Sequence, residues 1–177
     1  MTHLDSSFLI DLLRETASQH PGPAFGQIES FDEHEVLALS VHVVYELRAG
    51  AELSRKALVE HEVVDRLLSG LLVRYPDHRF ATLYGRLLAG THRSGRIVAA
   101  MDLLVATAAP LDDAPLVTRN VKIFRRSGGF EGPQLLAAAC MCCHRRNTEE
   151  AQKKHGRDPA VLFCGSAVFL LWPRMNG

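Results

Sequence analysis

Four short apolar runs, separated by longer stretches with helical spacing, lie in the first 118 residues of the chain. Each run reads as a buried strand because it is short, rich in aliphatic residues and bounded by turn or helix-start residues. The runs cover residues 1–4, 36–40, 71–75 and 116–118. Strands that alternate with helices in this way form a parallel sheet covered by helices. The sequence therefore predicts an α/β fold.

Capping residues, glycines and prolines indicate where the helices begin and end. The segment HPGPAFG at 20–26 predicts a loop. The first expected helix begins after a cap at Ser6 or Ser7. Two more run over 41–48 before Gly50 and over 55–68 before Gly70. A fourth starts at Pro76 and Asp77 and ends at Gly95, and a fifth stops at Pro110. The helix over 55–68 is expected to pack through Leu58, Val59, Val63, Leu67 and Leu68.

The charge balance gives no general indication of nucleic-acid binding. The 177 residues include 20 Lys and Arg and 20 Asp and Glu, so the formal net charge is zero and the sequence pI is about 7.1. A nucleic-acid-binding protein with this balance must use a local basic patch. The length suits one domain with a substantial core.

The two ends of the chain favour a cytoplasmic protein. The N-terminal segment MTHLDSSFLIDLL lacks the basic start, apolar core and cleavage site of a signal peptide. The longest apolar run, residues 160–172, is shorter than the ~20 residues that span a bilayer. All four cysteines lie in the last quarter of the chain, which predicts reduced thiols rather than a disulfide framework.

The strand and helix alternation stops near Gly128. The segment SGGFEGP at 127–133 is rich in turn residues, and nothing after it continues the pattern. We therefore expect a domain over residues 1–130 and a C-terminal tail over residues 131–177. The sequence leaves open whether this tail is helical, irregular or poorly ordered.

Three carboxylates occupy comparable places in the predicted fold. Asp5 follows the first strand, and Glu46 lies on the helix after the second strand. Asp102 interrupts an apolar helix just before the last strand. An ionised carboxylate could not be fully buried there without a partner, a metal or a hydrogen-bond network to offset its lost hydration, so Asp102 is expected to face a cleft. Clustered carboxylates repel one another, which favours a hard cation such as Mg²⁺ or Mn²⁺. Taken singly, Asp5 and Glu46 are more often surface or capping residues.

The last strand ends in three polar residues, Thr118, Arg119 and Asn120. Ligands of open α/β sheets bind at the carboxyl ends of the strands. A hydroxyl, a cation and an amide are therefore expected at the same edge of the sheet as the acids.

Four stretches of the chain resemble the PIN-domain ribonucleases of the VapC toxin type, and they occur in the order found in that family. They are LDSSFLIDLL at 4–13, SVHVVYELRAG at 40–50, SGRIVAAMDLLVATA at 94–108 and LVTRNVKIFRR at 116–126. The resemblance implies a three-layer α/β/α sandwich with a mainly parallel sheet, Mg²⁺-dependent endoribonuclease activity, a cognate antitoxin and a homodimer. It also implies that Asp5, Glu46 and Asp102 hold the metal, that Asn120 is the fourth catalytic position, and that Thr118 supports them.

The chain departs from the family pattern in two respects. Asn120 is neutral where many PIN domains have an aspartate, which leaves one or two metal ions as alternatives. Asp112 and Asp113 are not expected to replace that charge, because they precede the last strand and so belong at the other edge of the sheet. The second departure is the tail, since the family usually ends near residues 129–136.

A basic segment near the last strand is the candidate RNA-binding surface. Arg119, Lys122, Arg125 and Arg126 follow Thr118, and contacts from such residues to phosphates give affinity without base specificity. A solvated helix face is the alternative interpretation of Arg125 and Arg126.

Two further features favour structural rather than chemical roles. Cys140 and Cys143 form a CxxC pair, but zinc sites usually need a second pair at fixed spacing, so ordinary thiols are the better interpretation. His42, one turn before Glu46, is more often structural than catalytic at such a position.

These observations predict a Mg²⁺-dependent endoribonuclease, the toxin of a toxin-antitoxin pair. The alternative is a catalytically silent PIN-like binding module, with its acids kept for a structural metal or for an arginine of the antitoxin. Cleavage of RNA that EDTA abolishes would distinguish the two.

Overall fold

The computed structural model describes residues 1–95 and 97–121 and the backbone of residues 135–137. Strands and helices alternate along it as the sequence predicts. Its elements are β1 (Thr2–Leu4), α1 (Ser6–Ser18), α2 (Pro23–Glu29), β2 (Leu37–Ser40), α3 (Val41–Glu52), α4 (Ala57–Ser69), β3 (Leu72–Arg74), α5 (Phe80–Arg93), α6 (Ala100–Leu111), β4 (Leu116–Thr118) and β5 (Leu135–Ala137).

The strands form one sheet in the order β3-β2-β1-β4-β5, and every neighbouring pair is parallel. This arrangement confirms the predicted α/β class and parallel sheet. β1 lies at the centre, and all three of its residues are buried. The residue that follows β1 therefore emerges at the middle of the sheet edge, between the residues that follow β2 and β4.

The core forms between the sheet and the apolar faces of the helices. Phe8, Leu9 and Leu12 of α1 are almost completely buried, as are Leu39 of β2 and Leu116 of β4. Burial of each such side chain contributes about 1.5–3 kcal/mol. α1 is therefore held firmly against the sheet, and this fixes the start of the helix, where Asp5 lies.

The segment 20–26, expected as a loop, contains the start of α2. Pro23 is the first helical residue, a position where its missing N–H is not needed. The N–H groups of Ala24 and Phe25, which have no acceptor within the helix, donate to the carboxylate of Glu15 on α1, at 3.2 and 2.8 Å. The prediction was wrong because this cap comes from another helix and leaves no local sequence pattern.

Three other expectations about the helices also differ from the structure. α3 continues through Gly50 to Glu52, and α6 includes Pro110 and ends at Leu111. On α4, Leu58 and Val59 are exposed, while the buried positions are Glu60, Val63, Val64 and Leu67. A glycine inside a helix costs about 1 kcal/mol and a proline up to about 3 kcal/mol, so tertiary packing must offset these costs in α3 and α6. Packing also sets how α4 is rotated.

β5 lies beyond residue 130, where the sequence analysis placed the end of the domain. It pairs with β4, with Leu135 opposite Leu116 and Ala137 opposite Thr118. The sheet thus includes three residues that were assigned to the tail. Within the described ranges, none of the helices is both long and apolar enough to cross a membrane.

Candidate functional site

Asp5 is the N-cap of α1, where a serine was expected, but its side chain caps no helical N–H group. The carboxylate is 5% exposed. Its Oδ2 accepts hydrogen bonds from Ser7 Oγ at 2.5 Å and from Thr118 Oγ1 at 2.7 Å. These hydroxyls replace lost water contacts and fix the orientation of the carboxylate.

Glu46 is joined to Asp5 through a single serine. Ser6 Oγ donates to Glu46 Oε2 at 2.6 Å and lies 3.4 Å from Asp5 Oδ1. α3 begins directly after β2, and the side chain of Ser40 caps it by accepting from the His42 N–H. This geometry brings Glu46, on the second turn of α3, to the start of α1.

The pKa of Glu46 is raised above its ordinary value. The main cause is burial, which the hydrogen bond from Ser6 partly offsets, and the charges of Asp5 and Asp102 raise the pKa further. Asp102, in the first turn of α6, also has a raised pKa, because of burial and the charge of Asp5. The three acids therefore lie close enough to repel one another, as expected for residues that meet at one edge of the sheet.

The chemistry of this cluster fits a hard divalent cation. Among the described residues, none of the three acids forms an ion pair with a basic side chain, so their negative charge is not balanced there. In that same part of the chain, no three His, Cys, Asp or Glu side chains are placed to hold a metal ion directly. Mg²⁺ suits such a site, because it prefers oxygen ligands and usually keeps several waters.

The residues at the end of β4 take different positions around the acids. Thr118 is completely buried; it donates to Asp5 and accepts from the Asn120 N–H at 2.9 Å. Asn120 is exposed, and its backbone rather than its side chain makes this contact. The guanidinium of Arg119 is bound by Asp11 of α1, at 2.8 and 3.0 Å. Lys122, Arg125 and Arg126 lie outside the described residues.

Sequence reasoning missed three residues around the site. Ser6 and Ser7 were interpreted as helix caps, and Asp11 was not considered. The run Asp-Ser-Ser after a strand was the only local indication that two hydroxyls face the carboxylate. The pairing of Asp11 with Arg119 left none, because 108 residues separate them.

Other residues named from the sequence lie apart from the acids. The buried His42 stacks on Phe80, and its Nδ1 is 2.8 Å from Ser40 Oγ. Burial lowers the pKa of His42, which favours the neutral ring of a structural histidine. Asp112 is bound by His3 and Arg74 instead of joining the cluster. The CxxC pair lies outside the described residues.

Comparisons with known proteins agree with this fold. The family model described as PIN domain matches residues 3–129. Ribonuclease VapC2 of Rickettsia felis is 30% identical over 109 residues, which are 62% of this chain and 81% of that protein.

Solved structures give the same similarity in three dimensions. The structure of VapBC2 from Rickettsia felis bound to a DNA fragment from their promoter superposes with a TM-score of 0.64 at 26% identity, over 77% of this chain and 96% of that one. The DNA-bound VapBC from Salmonella typhimurium gives a TM-score of 0.68 at 23% identity, over 78% and 100% of the two chains. At 23% identity, the comparison with the Salmonella typhimurium structure shows a similarity of fold alone.

Proposed function

Given that the chain belongs to the PIN-domain family, we propose that it is a Mg²⁺-dependent endoribonuclease that hydrolyses RNA phosphodiester bonds. The observation that carries the proposal is the convergence of Asp5, Glu46 and Asp102: Ser6 contacts both Asp5 and Glu46, and burial, with smaller contributions from the charges of Asp5 and Asp102, raises the pKa of Glu46. The similarity to a protein named Ribonuclease VapC2 supports the choice of RNA as substrate.

The residues of the chain have distinct tasks in this proposal. Asp5 presents a fixed carboxylate, because Ser7 and Thr118 hold one of its oxygens. Ser6 keeps Glu46 beside it. Asp5, Glu46 and Asp102 would hold the metal together, at least one of them through water. When bound, Mg²⁺ supplies Lewis acidity and lowers the pKa of water near the scissile phosphate.

The remaining site residues position the substrate and the other ligands. Thr118 and Asn120 complete the site at the end of β4, and Asn120 occupies the fourth catalytic position. Arg119, Lys122 and Arg125 bind phosphates of the RNA. Arg119 is partly neutralised by Asp11, which keeps its cation at the edge of the site and away from the acids.

The biological setting follows from the same family. We propose that the protein is the toxin of a toxin-antitoxin pair, that a cognate antitoxin neutralises it, and that it acts in the cytoplasm as a homodimer. The similarity to VapBC structures supports an antitoxin partner.

The proposal is tested by incubating the purified protein with end-labelled, structured RNA. We expect internal cleavage in Mg²⁺, its loss in EDTA, and its return when Mg²⁺ is added in excess. The Asp5→Asn variant, purified in parallel, should not cleave, which excludes a contaminating nuclease. Cleavage that resists EDTA would contradict the metal dependence, and RNA binding without cleavage would identify a silent binding module.

A further inference from the structure

Tyr45 is a large exposed aromatic residue, one position along α3 from Glu46. The Cα atoms of the two residues are ~3.8 Å apart, and their side chains leave the helix about 100° apart. Over half of Tyr45, 54%, is exposed, whereas the neighbouring Val43 and Leu47 are buried. Within the described residues its hydroxyl forms no hydrogen bond, so the fold makes little use of this side chain.

Tyr45 contacts the buried ring of His42, which in turn stacks on Phe80. Tyr45 meets His42 edge to face, with centroids 5.7 Å apart and an interplanar angle of 87°. His42 stacks on Phe80 of α5, with centroids 5.4 Å apart and an angle of 30°. His42 also forms a hydrogen bond with Ser40, and Phe80 is buried. These contacts hold the buried side of the Tyr45 ring in place.

An exposed, supported ring next to a phosphate-cleaving site suits an unpaired nucleobase. Recognition of single-stranded RNA splays bases out of the stack and places them on aromatic side chains. Such stacking accepts any base, since every base has a π face. Because Tyr45 and Glu46 are consecutive residues of α3, a nucleotide next to the reacting phosphate can extend to the Tyr45 ring.

Charge does not explain this part of the surface. A small cavity next to Phe80 is lined by Arg74 and Arg79, but Asp112 binds Arg74 and Asp77 binds Arg79. The surface around Tyr45 therefore offers an aromatic ring on which a base can stack, rather than unpaired cations that attract phosphates.

We propose that Tyr45 is a substrate-positioning residue that stacks on an unpaired base of the RNA, next to the phosphate that is cleaved. The inference rests on the proposed function and adds to it a requirement for single-stranded RNA at the cut. It also assigns to α3 a binding task besides carrying Glu46.

The test compares Tyr45→Ala, Tyr45→Leu and Tyr45→Phe in the full chain, using a fluorescent single-stranded oligoribonucleotide. Loss of a stacking contact worth about 1–3 kcal/mol weakens binding roughly five- to 150-fold. We expect this loss for Ala, most of it for Leu, and near-normal binding for Phe, which keeps the ring. Fluorescence anisotropy gives the affinity, and KM for cleavage should rise by a similar factor. Leu58→Ala, which removes an exposed apolar side chain from α4, is the control and should bind as the parent does.

Abasic substitutions along the oligonucleotide locate the contact. One abasic position should weaken binding to the parent but not to Tyr45→Ala, because the variant has already lost that stack. Equal RNA affinities of Tyr45→Ala and the parent would overturn the inference, as would a loss of RNA affinity in Tyr45→Phe as large as that in Tyr45→Ala. A Tyr45→Ala variant that loses affinity only for a protein partner would overturn it as well. Binding without cleavage would refute the proposed function and leave the Tyr45 comparison valid, whereas no RNA binding at all would overturn both.

Discussion

Hydroxyl groups organise the acids at the level of single residues. Ser7 and Thr118 occupy one oxygen of Asp5, and Ser6 binds Glu46. A lysine or arginine in their place would orient the carboxylates equally well, but it would also cancel the charge that attracts a cation. Neutral donors satisfy the buried oxygens and leave the negative charge available.

The clearest prediction at this scale concerns Asp102→Asn. If Asp102 helps to hold the metal, cleavage should fall at least about 100-fold. In EDTA the melting temperature should stay the same or rise, because burial and the charge of Asp5 make the ionised form of Asp102 unfavourable, as its raised pKa indicates. The loss of an acidic residue from the first turn of α6 opposes this gain by about 0.3–1 kcal/mol. Cleavage rates and thermal melting provide the measurements.

Asp113→Asn is the matched control for that variant. Asp113 is exposed, follows the other end of α6, and has a positive φ of 49° that asparagine tolerates. The Asp113→Asn variant should cleave RNA at the parent's rate and melt at the parent's temperature. Cleavage by Asp102→Asn at the parent's rate would remove Asp102 from the metal site.

A buried ionic group joins elements at the scale of strands and helices. The carboxylate of Asp112, just after α6, accepts from His3 of β1 at 2.9 Å and from Arg74 of β3. Burial alone would raise the pKa of Asp112, but the hydrogen bonds from Arg74 and His3 lower it overall. The pKa of His3 is lowered, chiefly by burial and despite Asp112. His3 is therefore neutral near pH 7 and donates a hydrogen bond.

The stability that His3 contributes should depend on pH. The unfolded chain protonates His3 near pH 6.5, whereas the folded chain resists protonation because its pKa is lowered. Acidification through pH 6.5 therefore favours the unfolded state, and the contribution is complete only above that pH. His3→Gln should cost about 1 kcal/mol at pH 8, and the difference from the parent should shrink towards pH 5.5.

Urea unfolding of both proteins at several pH values measures this difference. His78→Gln, a change at an exposed histidine, should run parallel to the parent at every pH. A difference that widens on acidification would mean that protonated His3, paired with Asp112, is the more stable form.

At the scale of the whole molecule, β5 changes where the domain is expected to end. It covers the edge of β4, whose Thr118 holds Asp5. A chain of residues 1–131 lacks β5 and leaves that edge unpaired, which lowers stability and loosens the site. The boundary expected from the sequence, residue 130, leaves β5 outside the domain.

We expect residues 1–140 to cleave RNA within about twofold of the full chain. Residues 1–131 should melt about 5 °C lower, as a loss on the order of 1–2 kcal/mol would produce, and should cleave more slowly. Melting curves and cleavage rates of the three chains decide the matter. Equal behaviour of residues 1–131 and the full chain would restore the boundary at residue 130.

The sequence by itself determined the class of fold and the three acids. Short aliphatic strands alternating with helical spacing leave few arrangements other than a parallel sheet covered by helices. Three local properties singled out the acids: Asp5 follows a strand, Glu46 lies on the helix after a strand, and Asp102 interrupts an apolar helix. The polar end of the last strand added Thr118 and Asn120, and the matched family stretches supplied their expected roles.

Only the tertiary structure decided how those residues are supported. The Glu15 cap of α2, the pairing of Asp11 with Arg119, the bridge from Ser6 to Glu46 and the strand β5 all join segments far apart in the chain. Local spacing records which face of a helix or strand is apolar. It does not record which distant polar group meets a given hydroxyl or carboxylate, because that depends on how the packed elements are placed relative to one another.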